Sequence, residues 1–348
     1  MPRPQYFVGV DLHKHVIQVC VLDAEGAVVA EERHRVEALE SGLALVEHLG
    51  RWAPARLAVE AVGLNRWFVN ACRDRDYDLV VVDAGRLNLR SCGKKTDRRD
   101  ALEIARRLRL GDLDRYAVTY YPSNEEYGVR QLERIRHDLV GQRTHLGNRI
   151  RALLDAYKVA PPSGSLYKPT ALVALRQLRL AVPDLDVCLE ALTHALEQIE
   201  ASIQKLTRRI LVRARQRQVA ALQEMIPQVG AQTALTIVAE LGDVHRFRNA
   251  RAAASYCGLV PRVNNSADLS HHGRITKRGN RELRWILNQV AVRLLSTNAV
   301  VRQWAAAHLR RMHKNKVRTT LARRLLVGIY VVLARGEIFS LERCLGLT

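Results

Sequence analysis

The sequence has no cysteine pair, no long apolar run and, over its last 105 residues, almost no acid. Its six cysteines stand singly at positions 20, 72, 92, 188, 257 and 344, without a CxxC. That spacing argues against a zinc ribbon and a disulfide framework, and it suits a reducing compartment. MPRPQYFVGVDLH, at the start, has no stretch resembling the apolar region of a signal peptide. The most apolar late run, Leu325 to Ala334, is too short to span a bilayer. Neither a basic amphipathic anchor nor a lipidation motif occurs, so no membrane partner is expected and the expected location is cytoplasmic.

The scarcity of acid is regional. Residues 244–348 hold 4 Asp/Glu against 20 Lys/Arg, and residues 121–348 hold 17 against 36. Residues 1–120 are nearly balanced, 18 against 19, within a chain of net charge +20. So uneven a field attracts a polyanion, and nucleic acid is the commonest one. At 348 residues and 48% hydrophobic content the chain has room for two or three domains with real cores.

The first 121 residues alternate between strand and helix patterns. QYFVGVDLH (5–13), HVIQVCVLD (15–23) and AVVAEERHRV (27–36) read as three consecutive strands, antiparallel because their links are short. A helix over 38–52, a strand over 56–63, a helix over 65–75, a strand over 78–84 and a helix from Thr96 to about Leu110 follow. Thr96 is the expected N-cap, with Asp97 and Asp100 in the first turn. This is the element order of the ribonuclease-H-like fold, so the expected class is α/β, RuvC-like, at the N-terminal side.

In that fold, carboxylates from the first strand, the fourth strand and a later helix converge on divalent metal. Asp11 sits inside VGVDLH and Glu60 inside LAVEAVG, where a charge among apolar residues is costly unless paired or metal-bound. Asp97 and Asp100, three apart, share one helix face. Four such oxygen donors suit Mg²⁺ or Mn²⁺. Asp23, Asp83 and the Asp74/Asp76/Asp78 group fall at strand ends or turns and read as solvated. Lys94, Lys95, Arg98 and Arg99, around the acid pair, suit phosphates arriving beside it.

Residues 122–184 read as a basic helical linker, with a flexible joint at YKVAPPSGSLYKP (157–169). Leu185, Leu189, Leu192, Leu196, Ile199, Ile203, Leu206 and Ile210 recur at spacings of 4 and 3, the signature of a coiled coil or a long helix hairpin. A coiled coil over 185–219 predicts a homo-oligomer. MIPQVGAQTALTIVAELGD (225–243) resembles a helix-hairpin-helix, with Gln228 in place of the usual first glycine.

Residues 220–348 are expected to form a mainly α domain. In it, GLVPR leads into a polar loop, VNNSADLSHHG, and then RITKRGNRELRWIL. The loop carries Ser266 and Ser270 among Arg262, Arg274, Lys277, Arg278, Arg281 and Arg284. Cations that gather phosphate and stabilise its transition-state charge make a serine hydroxyl useful in phosphoryl transfer.

VGVDLHK, AVEAVG, KKTDRRDA, IPQVG, and GLVPR followed by ITKRGNRELR together resemble the insertion-sequence transposases of family one-ten. These are bacterial DNA recombinases with a RuvC-like DEDD domain followed by a serine-bearing transposase domain. The resemblance places the four acids on Asp11, Glu60, Asp97 and Asp100 and the catalytic serine on Ser266. The chain reads NNSADLS where many members have Ser followed by glycine, so Ser270 and Ser255 also stand as candidates. It implies metal-dependent cleavage and exchange of DNA strands through a covalent serine–DNA intermediate. The implied partners are element-end and target DNA, a noncoding bridge RNA, and further copies of the chain as a dimer or tetramer, acting at the nucleoid. The rival readings are a RuvC-like nuclease or Holliday-junction resolvase using metal-activated water, and an inactive nucleic-acid-binding assembly factor.

Overall fold

The computed structural model describes residues 3–83, 97–116, 118–226, 228–266, 269–337 and 340–347, without the side chains of residues 115, 116 and 262–274. The chain forms two compact units, Met1–Tyr121 and Pro122–Thr348. In the first, Tyr6–Leu12 (β1), Val16–Asp23 (β2) and Val28–Arg35 (β3) return on one another as antiparallel neighbours. Leu39–Leu49 (α1) then carries the chain over to Ala55–Glu60 (β4), which lies parallel to β1. Arg66–Arg73 (α2) leads to Asp78–Val82 (β5), parallel to β4. The sheet order is β3-β2-β1-β4-β5. Asp97–Arg109 (α3) and the short Asp112–Tyr116 (α4) follow.

Period-2 alternation gives this sheet two distinct faces. On one, Val8, Val10, Ile17, Val19, Leu57 and Val59 pack with Leu45 and Val46 of α1 and Phe68 and Val69 of α2. On the other, Ala58, Val80 and Val82 meet Ile104 and Leu108 of α3, while Cys20 and Leu22 meet Ala101 and Ala105. Each such side chain contributes about 1.5–3 kcal/mol on burial if it is as large as valine. A one-residue register slip would turn both sets outward, so the register is strongly specified.

The second unit opens with Asn124–Ala156 (α5), started by a capping box: Ser123 Oγ accepts from Glu126 N–H at 3.1 Å and Ser123 N–H donates to Glu126 Oε2 at 2.8 Å. Pro169–Gln177 (α6) and Pro183–Arg213 (α7) come next. α7 runs antiparallel to α5, tied by Arg136 Nε to Thr207 Oγ1 at 2.7 Å, Arg143 to Glu200 at 3.1 Å and Arg213 to Glu125 at 2.6 Å. One column of the heptad seam, Leu189, Leu196, Ile203 and Ile210, is buried within the chain. Leu185 and Leu192, from the other column, pack at the margin of the cluster that Leu189 and Leu196 form with Ile150 and Leu154 of α5. The seam is thus a helix hairpin in one chain over most of its length; a 3.5 period reports that a partner helix exists, not whose it is.

Two further expectations are corrected here. Residues 122–184 are no linker: they are α5 and α6, packed against α7. Nor is 157–169 a free joint, because Leu166 is buried with Ile150 and Leu154, and Tyr167 lies so close to Gly147 that a Cβ there would meet its Oη at 2.8 Å.

Arg217–Met225 (α8) and Ala231–Leu241 (α9) form the expected pair of helices around a turn, with Gln228 Oε1 buried and without a partner. Ala250–Tyr256 (α10) precedes a two-stranded hairpin, Pro261–Ser266 (β6) and Leu269–Ile275 (β7), where a polar loop is expected. Arg281–Thr297 (α11), Ala299–Leu309 (α12), Lys314–Arg335 (α13) and Leu341–Leu345 (α14) complete the unit. Its core centres on α13, whose Val317, Leu321, Leu325, Leu326 and Ile329 are fully buried and cluster with Ile210 of α7 and Val129 of α5. The segments 185–219 and 220–348 therefore share a core. Among the described residues no helix is long and apolar enough to cross a membrane.

Candidate active site

The acid site is built on a close approach of helix to sheet. Gly9 and Asp11 alternate onto the face of β1 that α3 covers, and a Cβ on Gly9 would lie 2.1 Å from Ala101 O and 2.5 Å from Ala105 N. Only glycine lets α3 sit that low. Asp97, Ala101 and Ala105 lie at successive fours on one helix face, so the contact that seats Ala101 and Ala105 on Gly9 carries Asp97 toward Asp11.

Asp11 is 5% exposed and Asp97 is open to solvent. Between them stands His13, its Nε2 3.1 Å from Asp11 Oδ2 and 3.4 Å from Asp97 Oδ1. These three side chains are close enough to share one ion. Burial pushes the Asp11 carboxyl up to about 6; His13 pulls it down, and Asp100 and Asp97 push it further up. Asp100 is half-buried in the same first turn of α3. Glu60 ends β4, one residue past the Val10–Val59 pair, and alternation puts it on the face of Ala58, which is α3's face. The turn after it is clamped by the buried Asn65, whose Nδ2 donates to Glu60 O at 2.6 Å and whose Oδ1 accepts from Tyr121 Oη at 3.0 Å.

Asp11, His13 and Asp97 are thus brought together, with Asp100 in the same turn of α3 and Glu60 at the end of a neighbouring strand, on the same face of the sheet. The donor set fits a hard divalent cation: carboxylate oxygens predominate, and the most buried of them is costly as an anion without a cation beside it. His13 is absent from the expected set. Its signal is strand alternation, which puts residue 13 on the same face as residue 11.

The other expected residues behave differently. Asp23 Oδ1 accepts from Gly26 and Ala27 N–H, holding the β2–β3 turn. Arg98 pairs with Glu31 of β3 rather than standing alone. Arg99 is exposed in the first turn of α3, while Lys94, Lys95 and Thr96 lie outside the described residues. In the second unit Ser266 ends β6 opposite Leu269, and Ser270 stands opposite Asn265. Their side chains, with those of Arg262 and Arg274, lie outside the described ones. Ser255 is exposed near the end of α10. Arg278 follows Lys277, whose φ is +55°. The backbone of Arg278 crowds Gly258, where a Cβ would lie 2.2 Å from Arg278 O. Arg284 donates to Cys257 O at 2.8 Å, which ties α11 to the turn after α10.

The middle arginines also serve the fold. Arg130 Nε donates to Ala239 O at 2.6 Å, and Arg134 forms a two-pronged pair with the fully buried Glu240 at 2.7 and 2.8 Å. Asn280 Nδ2 reaches the same Glu240 carboxylate at 2.7 Å, and Asn280 Oδ1 caps α11 by accepting from Leu283 N–H at 2.9 Å.

Fold and site together define a carboxylate-centred α/β enzyme domain followed by a basic helical domain. Residues 8–159 match the family model of the DEDD transposase of IS110 elements, and residues 220–306 match that of the transposase IS116/IS110/IS902 family. The transposase for insertion sequence element IS1111A of Coxiella burnetii is 27% identical over 95% of this chain and 90% of its own length. A probable family 20 transposase of Pseudomonas aeruginosa is 27% identical over 94% and 96%. The transposase for insertion sequence element IS1328 of Yersinia enterocolitica is 24% identical over 96% and 98%. By these matches the chain is a transposase similar to the IS110/IS116/IS902 family, and its DEDD match points to dependence on a divalent metal.

Proposed function

We propose that this transposase cuts and rejoins DNA strands through a covalent serine–DNA intermediate, with Asp11, Glu60, Asp97 and Asp100 holding Mg²⁺ or Mn²⁺ and Ser266 as the nucleophile. The observation that carries the acid half is the seating of α3 on Gly9, which sets Asp97 and Asp11 around His13. The serine half rests on the resemblance of GLVPR and ITKRGNRELR to the family's motifs, with Ser270 and Ser255 next in line.

A divalent cation held by the acids would supply Lewis-acid stabilisation of charge on the scissile phosphate. Ser266 Oγ attacks phosphorus, a P–O bond to one strand breaks, and that strand leaves with a free hydroxyl that takes up the serine proton. The phosphodiester energy is kept in the serine ester. Attack by the hydroxyl of an incoming strand then releases Ser266 as its alcohol and completes the exchange. His13, its Nε2 3.1 Å from Asp11 Oδ2 and 3.4 Å from Asp97 Oδ1, orients the two carboxylates. A bridge RNA specifying donor and target is part of the proposal, supported by the family resemblance and by the basic excess of residues 121–348.

Assembly of several copies is part of it as well. Charged substitutions at Leu192, Ile199 and Leu206 are expected to lower the mass in solution. An unchanged mass removes α7 as the oligomer seam.

The test is a denaturing gel of the protein with Mg²⁺, element-end DNA and RNA from its flanks, beside Ser266→Ala and Asp11→Ala. A protein–DNA band lost in both variants is expected. Cleavage without an adduct, untouched by Ser266→Ala, Ser270→Ala and Ser255→Ala, would make the chain a RuvC-type nuclease. Exchange that survives replacement of all four acids would sink the metal-site assignment. Exchange unchanged when RNA is omitted would remove the guide.

A further inference from the structure

Within the second unit a cleft of about 1250 Å³ opens among the base of the β6–β7 hairpin, α11 and the start of α13. Its lining includes Lys277, Arg281, Arg284, Lys316, Arg318 and Arg323 and, among the described residues, no acid. Among the described residues none of these six side chains has an ion-pair partner; Arg284 alone has a hydrogen bond, to Cys257 O. Arg318 Nε is buried with no acceptor. Cations so grouped repel one another, and a polyanion relieves that cost. They are set out on two helix faces. Arg281 and Arg284 are three apart on α11, while Lys316 and Arg323 are seven apart on α13, with Thr319 and Thr320 between them on the same lining.

Phosphate binding alone does not account for Trp285. This indole lines the cleft, is 41% exposed, and stacks on His137 of α5 with ring centroids 4.0 Å apart and planes at 25°. Glu282 Oε2 lies 3.0 Å from His137 Nδ1 and orients the imidazole beneath it. A duplex keeps its bases stacked inside and would offer this ring only backbone. An unpaired base offers a π face.

We propose that the cleft holds an unpaired stretch of nucleic-acid strand, its phosphates on the α11 and α13 cations and one base stacked on the His137-backed Trp285. This rests on the recombinase reading and adds to it a site for the strand that pairing leaves open, whether DNA opened during exchange or a single-stranded part of an RNA.

The test uses the full-length Asp97→Asn chain, so that binding is read without cutting. Short labelled oligothymidylate, oligouridylate and a duplex of equal length are titrated by fluorescence anisotropy. The unpaired strands are expected to bind about tenfold tighter than the duplex, and Trp285→Ala to lose about tenfold for them but not for the duplex. Trp285→Phe, which keeps a ring, restores most of the loss and controls for folding. Lys316→Gln with Arg323→Gln lowers the salt slope by about 0.7 per cation. Preference for thymidylate assigns the site to DNA, and preference for uridylate to RNA. Equal binding of duplex and single strand, with Trp285→Ala neutral, overturns the proposal. Strand exchange by the wild type is measured separately. Exchange with a neutral Trp285→Ala sinks the cleft and spares the recombinase; oligonucleotide binding lost in Trp285→Ala without any exchange does the reverse.

Discussion

In the first unit many arginines have an acid in reach: Arg56 has Asp78 and Asp114, Arg51 has Glu32, and Arg98 has Glu31. Around the cleft of the second unit, Lys277, Arg281, Lys316, Arg318 and Arg323 have none among the described residues. Both units are folded and both have apolar cores, so the difference is not one of stability. Where a cation meets an acid of its own chain, the two charges largely cancel within a few ångströms, inside the Debye length of about 10 Å over which an unpaired charge still acts. Where it does not, the field extends to a partner. On the proposed reading, the first unit keeps Asp11 and Asp97 for a metal, and the cleft of the second keeps its cations for phosphate.

The largest test of this contrast separates chemistry from binding. Asp97→Ala is expected to lower strand exchange on the order of a thousandfold, while the affinity of the chain for element-end DNA, read by anisotropy, stays within about twofold because the substitution removes no cation. A parallel loss of both would merge the two roles.

Next in size is a buried ion pair of the second unit. Glu240 is fully buried against Arg134 and Asn280, so Glu240→Ala strands a guanidinium and takes the carboxylate partner from Asn280 Nδ2. A loss of about 3 kcal/mol is expected, at the low end for a broken buried pair because Arg134 is itself partly exposed. Calorimetry should show it in the transition of 122–348 and not in that of 1–121.

A methyl at Gly9 acts on the first unit alone. Gly9→Ala overlaps Ala101 O and must lift α3, for about 1–3 kcal/mol. Exchange should fall with the stability, since Asp97 and Asp100 move with the helix. Full exchange in this variant would mean that α3 tolerates displacement.

The smallest effect changes sign with metal. The Asp11 carboxyl is raised to about 6 by burial, so the folded metal-free protein binds this proton more tightly than the unfolded chain. Stability from this group is greatest below the ordinary carboxylate range and falls as pH rises from about 4 to about 6. Asp11→Asn should therefore stabilise the metal-free protein by about 1–2 kcal/mol at pH 8 and by almost nothing at pH 4. With Mg²⁺ the wild type should gain stability at pH 8 and the variant should not. A variant that gains equally would move the cation off Asp11.

Much of the first unit is legible in the sequence because its signals are local. Val and Ile alternation marks β1 and β2, and the short links make them antiparallel. Asp11 and Glu60 stand out because a charge inside an apolar strand demands a partner. The β6–β7 hairpin does not stand out: VNNSADLSHHG is rich in residues that strands disfavour, and backbone pairing such as Asn264 with His271 forms it regardless. The heptad run is legible as a helix seam, but the antiparallel partner, α5, comes from the same chain. Proline and glycine at 157–169 signal a joint, whereas Leu166 and Tyr167 anchor it through contacts no local pattern announces.

By itself the sequence determined the element order, the placement of the acids on strand and helix, and the cation excess of the later residues. Those properties follow from composition and from spacing along one chain. Only the tertiary structure decided that Gly9 admits α3, that His13 stands between Asp11 and Asp97, and that His137 backs Trp285 beside cations from α11 and α13. Such contacts join residues far apart in sequence, and close packing of whole elements sets them.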